Sequence, residues 1–236
     1  MINIVCVKWG TKYGPEYVNR LYAGVKRNTT VPFKFHCFTD NTTGLQQDII
    51  AHPLKYNSLE GWWNKLYLFS DELSIPIGEK IVFLDLDTLI VGNINDVLNL
   101  ESDSLITARD FLTSIISTIR TNDHMQSCIM IWPHGRYANV WRKFIQDPTE
   151  AIASVKPHGD QRWIQAEIAN RVYLQDLLPE KIVSFKVACR SGLPKNATIV
   201  CYHGRPSIIE SATQEMKVWK WQFTPQSWVL DHWKDQ

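Results

Sequence analysis

The pattern of apolar and polar positions at the start of the chain predicts a β-α-β unit. Ile2–Val7 and Val31–Phe38 are short apolar runs typical of strands, and apolar residues recur at helical spacing over Tyr17–Lys26 between them. A strand, a helix and a second strand in this order favour parallel pairing, because the connecting helix packs on one face of the sheet. We therefore predict a doubly wound α/β fold, in which ligands bind beyond the carboxyl ends of the strands.

Later parts of the chain continue the alternation of strands and helices. Further strands are predicted over Asp48–Pro53, Ile81–Val91, Ser104–Ala108, Cys128–Trp132, Lys181–Phe185 and Thr198–Tyr202. Further helices are predicted over Gly61–Ser70, Asn95–Leu100, Tyr137–Ile145 and Gly159–Asn170, the first with Trp62 on its apolar side. Phe111–Asp123 has weak periodicity, and we predict a mobile or ligand-ordered segment there. No repeat or linker divides the chain, so one domain is expected over residues 1–236, ending in a Trp-rich tail over 207–236.

Two carboxylates interrupt the apolar stretch Lys80–Asn95. Asp85 and Asp87 follow the run Ile81–Leu84, which suits a strand buried on both faces. Residues two apart in an extended chain point to the same side, so both carboxylates can reach one divalent cation. Without a cation, two carboxylates at the end of a buried strand are costly. The alternative interpretation is a strand end with two solvated aspartates.

Composition restricts the classes of function. The chain of 236 residues is 44% hydrophobic and 21% charged, as in ordinary globular proteins. A net charge of +1 without basic blocks argues against a nucleic-acid polymer as partner. The five cysteines are odd in number and widely spaced, which predicts reduced core thiols. No apolar run is long enough for a membrane span and no secretory signal is evident, so we expect a cytoplasmic protein, with peripheral membrane association left open.

Five motifs, taken in order, resemble those of the glycogenin-like glycosyltransferases of family 8. They are Tyr13 after the first strand, the helix segment Trp63–Leu66, the block Phe83–Ile94, Gly159-Asp160-Gln161, and His203-Gly204. The block around Asp85 and Asp87 is the most specific of the five. The resemblance covers residues 1 to about 206. It implies a GT-A fold with a mixed, mostly parallel central sheet, a nucleotide-binding half over about 1–100 and a sugar and acceptor half over about 101–206.

The resemblance implies a metal-dependent transfer of a hexose from a UDP-sugar with retention of anomeric configuration. The acceptor is left open among a saccharide, a lipid-linked sugar and a protein, as is homodimer formation. Asp160 and Lys65 are the implied catalytic residues, and Asp85, Asp87 and His203 are the implied metal ligands. This ligand set suits Mn²⁺ better than Mg²⁺, which prefers oxygen ligands and is the second choice. Donor contacts are expected from Val7, Trp9, Tyr13, Lys65, Leu86, Asp110, Gln126, Gln161, Gly204 and Arg205.

Two positions depart from the family pattern. Gln126 stands where the family has Asn, and it reaches further by one methylene. The late motif is shortened to His203–Ser207 and lacks the lysine that holds the diphosphate, so Arg205 is expected to take that role. These departures leave the donor sugar open.

Several of these residues have simpler structural explanations. The ammonium of Lys65 could extend from an apolar helix side to the solvent. His203 could cap a strand end. Asp160 could complement the positive end of a helix dipole, and Asp110 could be a solvated turn residue.

Three other functions are alternatives to a retaining glycosyltransferase. A haloacid-dehalogenase-type phosphatase has a similar motif, but Thr88 follows the second aspartate one residue too early and the motif lies too late in the chain. A non-catalytic nucleotide-sugar or carbohydrate-binding module would bind without turnover or metal. An inverting GT-A transferase would need a general base beside the acceptor, and the Asp160-Gln161 and His203-Gly204 motifs argue against it.

Overall fold

The computed structural model describes residues 1–56, 58–112 and 124–235. The strands are β1 (Ile2–Lys8), β2 (Phe33–Thr39), β3 (Ile50–Pro53), β4 (Lys80–Leu84), β5 (Thr88–Ile90), β6 (Leu105–Arg109), β7 (Met125–Pro133), β8 (Arg171–Tyr173), β9 (Ile182–Ser184), β10 (Ile199–Cys201), β11 (Met216–Val218) and β12 (Trp221–Phe223). The helices are α1 (Pro15–Arg27), α2 (Asn95–Leu98), α3 (Ala138–Gln146), α4 (Pro148–Ser154), α5 (Asp160–Glu167), α6 (Leu174–Leu177), α7 (Phe185–Ala188), α8 (Ile208–Thr213) and α9 (Trp228–His232). A 3₁₀ helix spans Gly61–Phe69.

A seven-stranded sheet with the order β3-β2-β1-β4-β7-β6-β8 forms the centre of the molecule. The first four strands are parallel, β7 is antiparallel to β4 and β6, and β8 is parallel to β6. The predicted mixed, mostly parallel central sheet is therefore confirmed. The carboxyl ends of β1, β2, β4 and β6 lie at the same edge, together with the amino-terminal end of β7.

Apolar clusters cover both faces of this sheet. One cluster packs α1 against β1, β2 and β4, and the other packs the 3₁₀ helix, α3 and α5 against the opposite face. This two-sided burial explains why β4 is an almost continuous apolar run rather than an alternating one. Pro15 suits the start of α1 because it lacks an N–H that would be unpaired there, and Lys26 and Arg27 in the last turn complement the negative end of the helix dipole. All five cysteines are buried and free, as predicted.

The stretch Ile81–Val91, predicted as a strand pair, divides between two sheets. A tight turn, in which the Thr88 N–H donates to the Asp85 carbonyl at 3.1 Å, separates β4 from β5. β5 leaves the central sheet and pairs antiparallel with β10, which pairs in parallel with β9. Sequence periodicity does not predict this second sheet, because the apolar runs on both sides of the turn look alike.

The C-terminal segment, predicted to lack a clear period, forms α8, a β11–β12 hairpin and α9. These elements pack on β5, β10 and α7 in a third apolar cluster. Trp62, predicted on the apolar side of its helix, is instead 59% exposed, because the tighter 3₁₀ turn rotates it out of the face that Leu66 and Phe69 bury. The predicted segment Phe111–Asp123 lies outside the described residues from position 113 to 123. No helix in the described ranges is both long and apolar enough to cross a bilayer.

Candidate active site

Four polar residues meet at the carboxyl edge of β4. Asp85 directly follows β4, and its N–H donates to the Cys128 carbonyl at 2.9 Å, which aligns it with the start of β7. Ser127 lies on that part of β7, and Asp160 is the first residue of α5. Lys65 comes from the middle of the 3₁₀ helix and reaches all three.

Lys65 lies at the centre of this cluster. Its Nζ is 3.2 Å from Asp85 Oδ1, 3.1 Å from Asp160 Oδ2 and 3.1 Å from Ser127 Oγ. The residue is 5% exposed, so the interpretation that its ammonium extends to the solvent is wrong. Burial disfavours the ammonium, but the carboxylates of Asp160 and Asp85 outweigh that cost and raise the pKa of Lys65 above its usual value.

Asp160 combines two features that the sequence presents as alternatives, a helix N-terminus and a place in the polar cluster. It begins α5, where a carboxylate complements the helix dipole, and it is also the buried partner of Lys65. Its Oδ2 additionally accepts a hydrogen bond from Ser127 Oγ at 2.9 Å. Two contacts thus fix Oδ2, and neither Asp160 oxygen has a further hydrogen bond or ion pair within the described ranges.

Asp85 and Asp87 present adjacent carboxylates that the protein only partly neutralises. Partial burial raises the pKa of Asp85 to about 7; Lys65 opposes this rise and Asp87 adds to it by like-charge repulsion. Burial also raises the pKa of Asp87, against the hydrogen bond that Tyr13 Oη donates to Asp87 Oδ2 at 3.0 Å. A dication would stabilise both ionised carboxylates. This pair therefore fits a divalent metal ion.

His203, predicted as the third metal ligand, makes other contacts. Its Nε2 is 2.7 Å from Ser184 Oγ, and Phe111 stacks on the imidazole with ring centroids 5.9 Å apart. Within the described ranges, no three His, Cys, Asp or Glu side chains lie together in a metal-binding arrangement. His203 does follow β10, and the Tyr202 N–H before it donates to the Asp87 carbonyl at 3.1 Å. This backbone hydrogen bond places the residue that precedes His203 beside Asp87.

The first-strand residues lie at the predicted edge. Val7 is half-buried near the end of β1, and Trp9 is 37% exposed just beyond it. The Gly10 N–H donates to Asp40 Oδ2 at 2.8 Å, which connects the turn to the end of β2. The Leu86 side chain is buried in the core, so only its main chain is available to a ligand.

Asp110, Gln126 and Gln161 surround the opposite side of the cluster. Asp110 is 4% exposed, so it is not a solvated turn residue. Its Oδ1 accepts from the Leu112 N–H at 2.9 Å, and its own N–H donates to the His124 carbonyl at 2.8 Å. Gln126 and Gln161 are half-buried, the former at the start of β7 and the latter in the first turn of α5.

The late motif places Lys186, rather than Arg205, against the His203 backbone. Arg205 is exposed and forms an ion pair with Glu210, whose carboxylate also completes the capping box of α8. Lys186, in α7, donates from Nζ to the His203 carbonyl at 2.7 Å. Gly204 has a φ of +75°, a conformation that favours glycine, and a Cβ there would lie 3.7 Å from Lys186 Nζ.

Two residues of this region escaped the sequence analysis. Ser127 directly follows Gln126, one of the residues that resemble the family, so this adjacency in the sequence could have indicated it. Lys186 carries no motif, and only the contact between α7 and the turn after β10 reveals it.

Solved glycosyltransferase structures share this architecture. A crystal structure of the galactosyltransferase LgtC with donor and acceptor sugar analogs matches with a TM-score of 0.64 at 13% identity, over 87% of this chain and 88% of that chain. The glycosyltransferase GlyE of Streptococcus pneumoniae TIGR4 matches with a TM-score of 0.69 at 11% identity, over 99% of this chain and 61% of that chain. The chain has the GT-A fold.

The bifunctional glycosyltransferase WbbM, in its apo structure, gives a third match to this GT-A fold. Its TM-score is 0.59 at 10% identity, over 88% of this chain and 46% of that chain. By sequence, the chain matches no protein-family model and no curated protein. At this level of identity the likeness establishes the fold but not the chemistry of the site.

Proposed function

We propose that this protein is a glycosyltransferase of the glycogenin-like family 8 type, which moves a hexose from a UDP-sugar to an acceptor with retention of configuration. The observation that carries the proposal is the group of Asp85, Asp87, Lys65 and Asp160 at the carboxyl edge of a GT-A sheet. In open α/β sheets this edge is where ligands bind. The five family-like motifs support the same assignment.

The carboxylate pair would hold a divalent ion, Mn²⁺ in the first place and Mg²⁺ in the second. When bound, the ion supplies Lewis-acid neutralisation of the charge that develops on the leaving diphosphate. Asp85 and Asp87 would be the principal ligands. His203 would be the third, and its Nε2 would first have to leave Ser184 Oγ. Tyr13 would orient the Asp87 carboxylate through the hydrogen bond of 3.0 Å.

The UDP-sugar donor would contact residues from both halves of the chain along the carboxyl edge of the sheet. Residues of the first half, Val7, Trp9 and Tyr13, would contact the nucleotide, with the main chain of Leu86. Residues of the second half, Asp110, Gln126 and Gln161, would contact the sugar. Gly204 would let the backbone approach the diphosphate, since it adds no side chain there. Arg205 is the residue expected to hold the diphosphate, but its ion pair with Glu210 would first have to open.

Lys65 and Asp160 would act on the transition state. The Asp160 carboxylate would stabilise positive charge developing on the sugar ring. Lys65 and Ser127 hold its Oδ2 in place, which leaves Oδ1 as the oxygen that can approach the sugar. Because the ammonium lies between Asp85 and Asp160, it also lowers the repulsion between the metal-binding and catalytic carboxylates.

UDP binding by isothermal titration calorimetry, with Mn²⁺ and after chelation, tests the metal assignment. We expect tight binding with Mn²⁺ and binding at least ~10-fold weaker with chelator. Asp87→Ala should remove the difference, because the remaining carboxylate cannot replace both ligands. Asp103→Ala, which loses an exposed carboxylate elsewhere, is the matched control and should bind like the wild type. Equal UDP affinity with and without chelator would refute the metal assignment.

A donor-hydrolysis screen distinguishes an enzyme from a binding module. UDP-, GDP- and CMP-sugars are incubated with the protein with and without Mn²⁺, and the released nucleotide is measured. We expect slow, Mn²⁺-dependent release of UDP from a UDP-hexose. UDP-sugar binding without turnover toward any acceptor or water would instead identify a nucleotide-sugar-binding module.

A further inference from the structure

A concave site lies beside the candidate active site. This cavity of about 210 Å³ is lined by Leu112, Lys186, Val218, Trp219 and Trp221. It is smaller than the roughly 300–1,000 Å³ of pockets that enclose a drug-sized ligand. Its size suits one ring of a larger ligand, and two of its five lining residues are tryptophan.

The hairpin that forms one wall holds Trp219 in an unusual backbone conformation. Val218 pairs with Trp221, so Trp219 and Lys220 form a two-residue turn. Trp219 has a φ of 55°, at the position where such turns normally place glycine. A bulky residue in this conformation is strained. The side chain is nevertheless 64% exposed, so burial of the indole does not offset that strain.

Cationic side chains surround the same hairpin. Lys186, Arg190 and Lys220 line the cavity or lie against its tryptophan rings. Lys220 Nζ lies 4.6 Å from the Trp219 ring centroid, and Arg190 Cζ lies 5.3 Å from that of Trp221. Together with Lys186 these cations have no ion-pair partner in the part of the chain that the structure describes. The positive charge is therefore uncompensated around an aromatic cavity.

The cavity is connected to the candidate active site through Lys186. Lys186 lines the cavity, and its ammonium donates to the His203 carbonyl at 2.7 Å. Leu112, which also lines the cavity, follows Phe111, which stacks on the His203 ring. A ligand in the cavity would thus contact Lys186, which is hydrogen-bonded to the turn that borders the proposed donor site.

We propose that this cavity is the acceptor subsite, and that it takes a sugar ring carrying a phosphate or carboxylate group. The apolar face of a sugar ring packs on the exposed indole of Trp219. The anionic group binds Lys186, which lines the cavity, and Lys220, whose ammonium lies beside the Trp219 ring. The proposal rests on the proposed transferase function and narrows its acceptor to anionic saccharides. An anionic lipid surface would also attract these cations, but it would contact the hairpin tip without filling a concave site that borders His203.

Binding of small anionic sugars tests the subsite directly. Glucose 6-phosphate and glucuronate are titrated into the ¹⁵N-labelled protein, and the indole N–H resonances are followed. Glucose and inorganic phosphate are the neutral and ring-free comparisons. We expect at least one anionic sugar to shift the Trp219 signal, with an affinity at least ~10-fold higher than that of glucose or phosphate. Saturation by neither anionic sugar, or equal affinity for phosphate alone, would overturn the proposal.

Trp219→Gly and Lys186→Met separate binding from folding. Glycine removes the indole and accepts the positive φ, so the melting temperature should stay equal or rise while anionic-sugar binding falls at least ~5-fold. Lys186→Met should cause a similar loss, and Lys186→Arg should retain binding. Trp62→Ala, which removes a similarly exposed indole elsewhere, should bind like the wild type. Lys217→Met is the charge-matched control, because strand alternation places Lys217 on the face of β11 opposite Val218.

UDP binding in the same variants distinguishes failure of this proposal from failure of the proposed function. We expect Trp219→Gly to bind UDP with Mn²⁺ like the wild type. If UDP binds normally and the variants bind anionic sugars like the wild type, the acceptor subsite is wrong and the transferase function stands. Failure of the wild-type protein to bind UDP at all would remove the basis for both. Binding of anionic vesicles that Trp219→Gly abolishes, without binding of either anionic sugar, would replace the saccharide by a lipid surface.

Discussion

Lys65 is the residue on which the candidate site depends most. Its ammonium is buried between Asp85 and Asp160, so a neutral residue there leaves two carboxylates facing each other without compensation. Lys65→Met keeps the length of the side chain and removes the charge. We expect a stability loss of about 3–5 kcal/mol, the usual cost of breaking a buried ion pair. We also expect transfer to fall at least ~100-fold.

Lys80→Met is the matched control for this substitution. Lys80 forms an ion pair with Glu101 at the opposite end of β4, where Glu101 is exposed. The Lys80 ammonium also donates to the Leu98 carbonyl at 3.0 Å, so its loss should cost about 1–2 kcal/mol, less than the loss of Lys65, and leave transfer unchanged. Urea unfolding and an assay of transfer measure both effects. A Lys65→Met protein that transfers sugar like the wild type would exclude a catalytic role for this lysine.

His36 gives a pH-dependent contribution to stability. Burial lowers its pKa from 6.5 to about 4, and its ring is held between His52 Nε2 at 2.9 Å and Asn3 Oδ1 at 3.1 Å. The neutral ring is therefore favoured in the folded state, and protonation favours unfolding. This contribution to stability is fully present above about pH 6.5 and is lost as the pH falls toward 4. The loss at that pH is about 3 kcal/mol.

Urea unfolding at pH 7.5 and 4.5 checks this prediction. The wild type should lose more stability on acidification than His36→Gln, whose amide does not titrate but can still form hydrogen bonds. Both proteins share every other titrating group, so the difference between their pH dependences reports His36. An identical loss in the two proteins would contradict the low pKa.

Individual site residues were predicted where a motif marks them. Asp85, Asp87 and Asp160 lie at the predicted edge because strand and helix ends fix their positions. The sequence left open whether Lys65 reaches the solvent, since either direction satisfies the apolar spacing of its helix. Only the packing of that helix against β7 and α5 decides the direction, and those contacts are far apart in the chain.

At the scale of elements, the 3₁₀ helix Gly61–Phe69 is the part that positions Lys65. Asn64, 3% exposed, donates from Nδ2 to the carbonyls of Leu59 at 3.0 Å and of Gly61 at 3.2 Å. These two hydrogen bonds fix the start of the helix, where Gly61 has a φ of +56°. Periodicity predicts a helix here but not the 3₁₀ geometry, because the deciding hydrogen bonds come from one side chain.

Asn64→Ala should loosen this helix and displace Lys65. Leaving two buried carbonyls without their donor should cost about 1–3 kcal/mol, visible as a lower melting temperature. Transfer should also fall, because the ion pairs of Lys65 depend on the position of the helix. Asn139→Ala, which removes one long hydrogen bond of 3.4 Å on the surface, is the control and should melt like the wild type. Unchanged stability of Asn64→Ala would mean that packing alone positions the helix.

At the scale of the whole molecule, the opening β-α-β unit and the sheet edge were predictable, and the second sheet was not. The opening unit follows from local periodicity and the rule that crossover connections are right-handed. The pairing of β5 with β10 joins segments separated by almost half of the chain's length, and no local pattern specifies it. The same limit applies to the hairpin at Trp219, where a bulky residue stands at a position that favours glycine.

The stereochemical outcome of transfer depends on the arrangement of the whole site. Inversion requires a carboxylate or histidine that takes the acceptor proton opposite the leaving group. In the described ranges Asp160 is tied to Lys65 and Ser127, and His203 is tied to Ser184. A carboxylate held in place by Lys65 and Ser127 suits the stabilisation of positive charge on the sugar, which favours retention by a covalent or a same-face route. We therefore expect an α-linked product from an α-linked UDP-sugar.

Asp160→Asn tests this role because it keeps the shape of the side chain and removes its charge. Transfer should fall at least ~100-fold while UDP affinity changes little, since Asp160 acts on the sugar rather than on the nucleotide. Asp176→Asn, which breaks only the surface ion pair with Arg109, should transfer like the wild type. Proton NMR of the first product reports the anomeric coupling. A β-coupling in that product would refute retention and, with it, the stabilising role of the ion-paired Asp160.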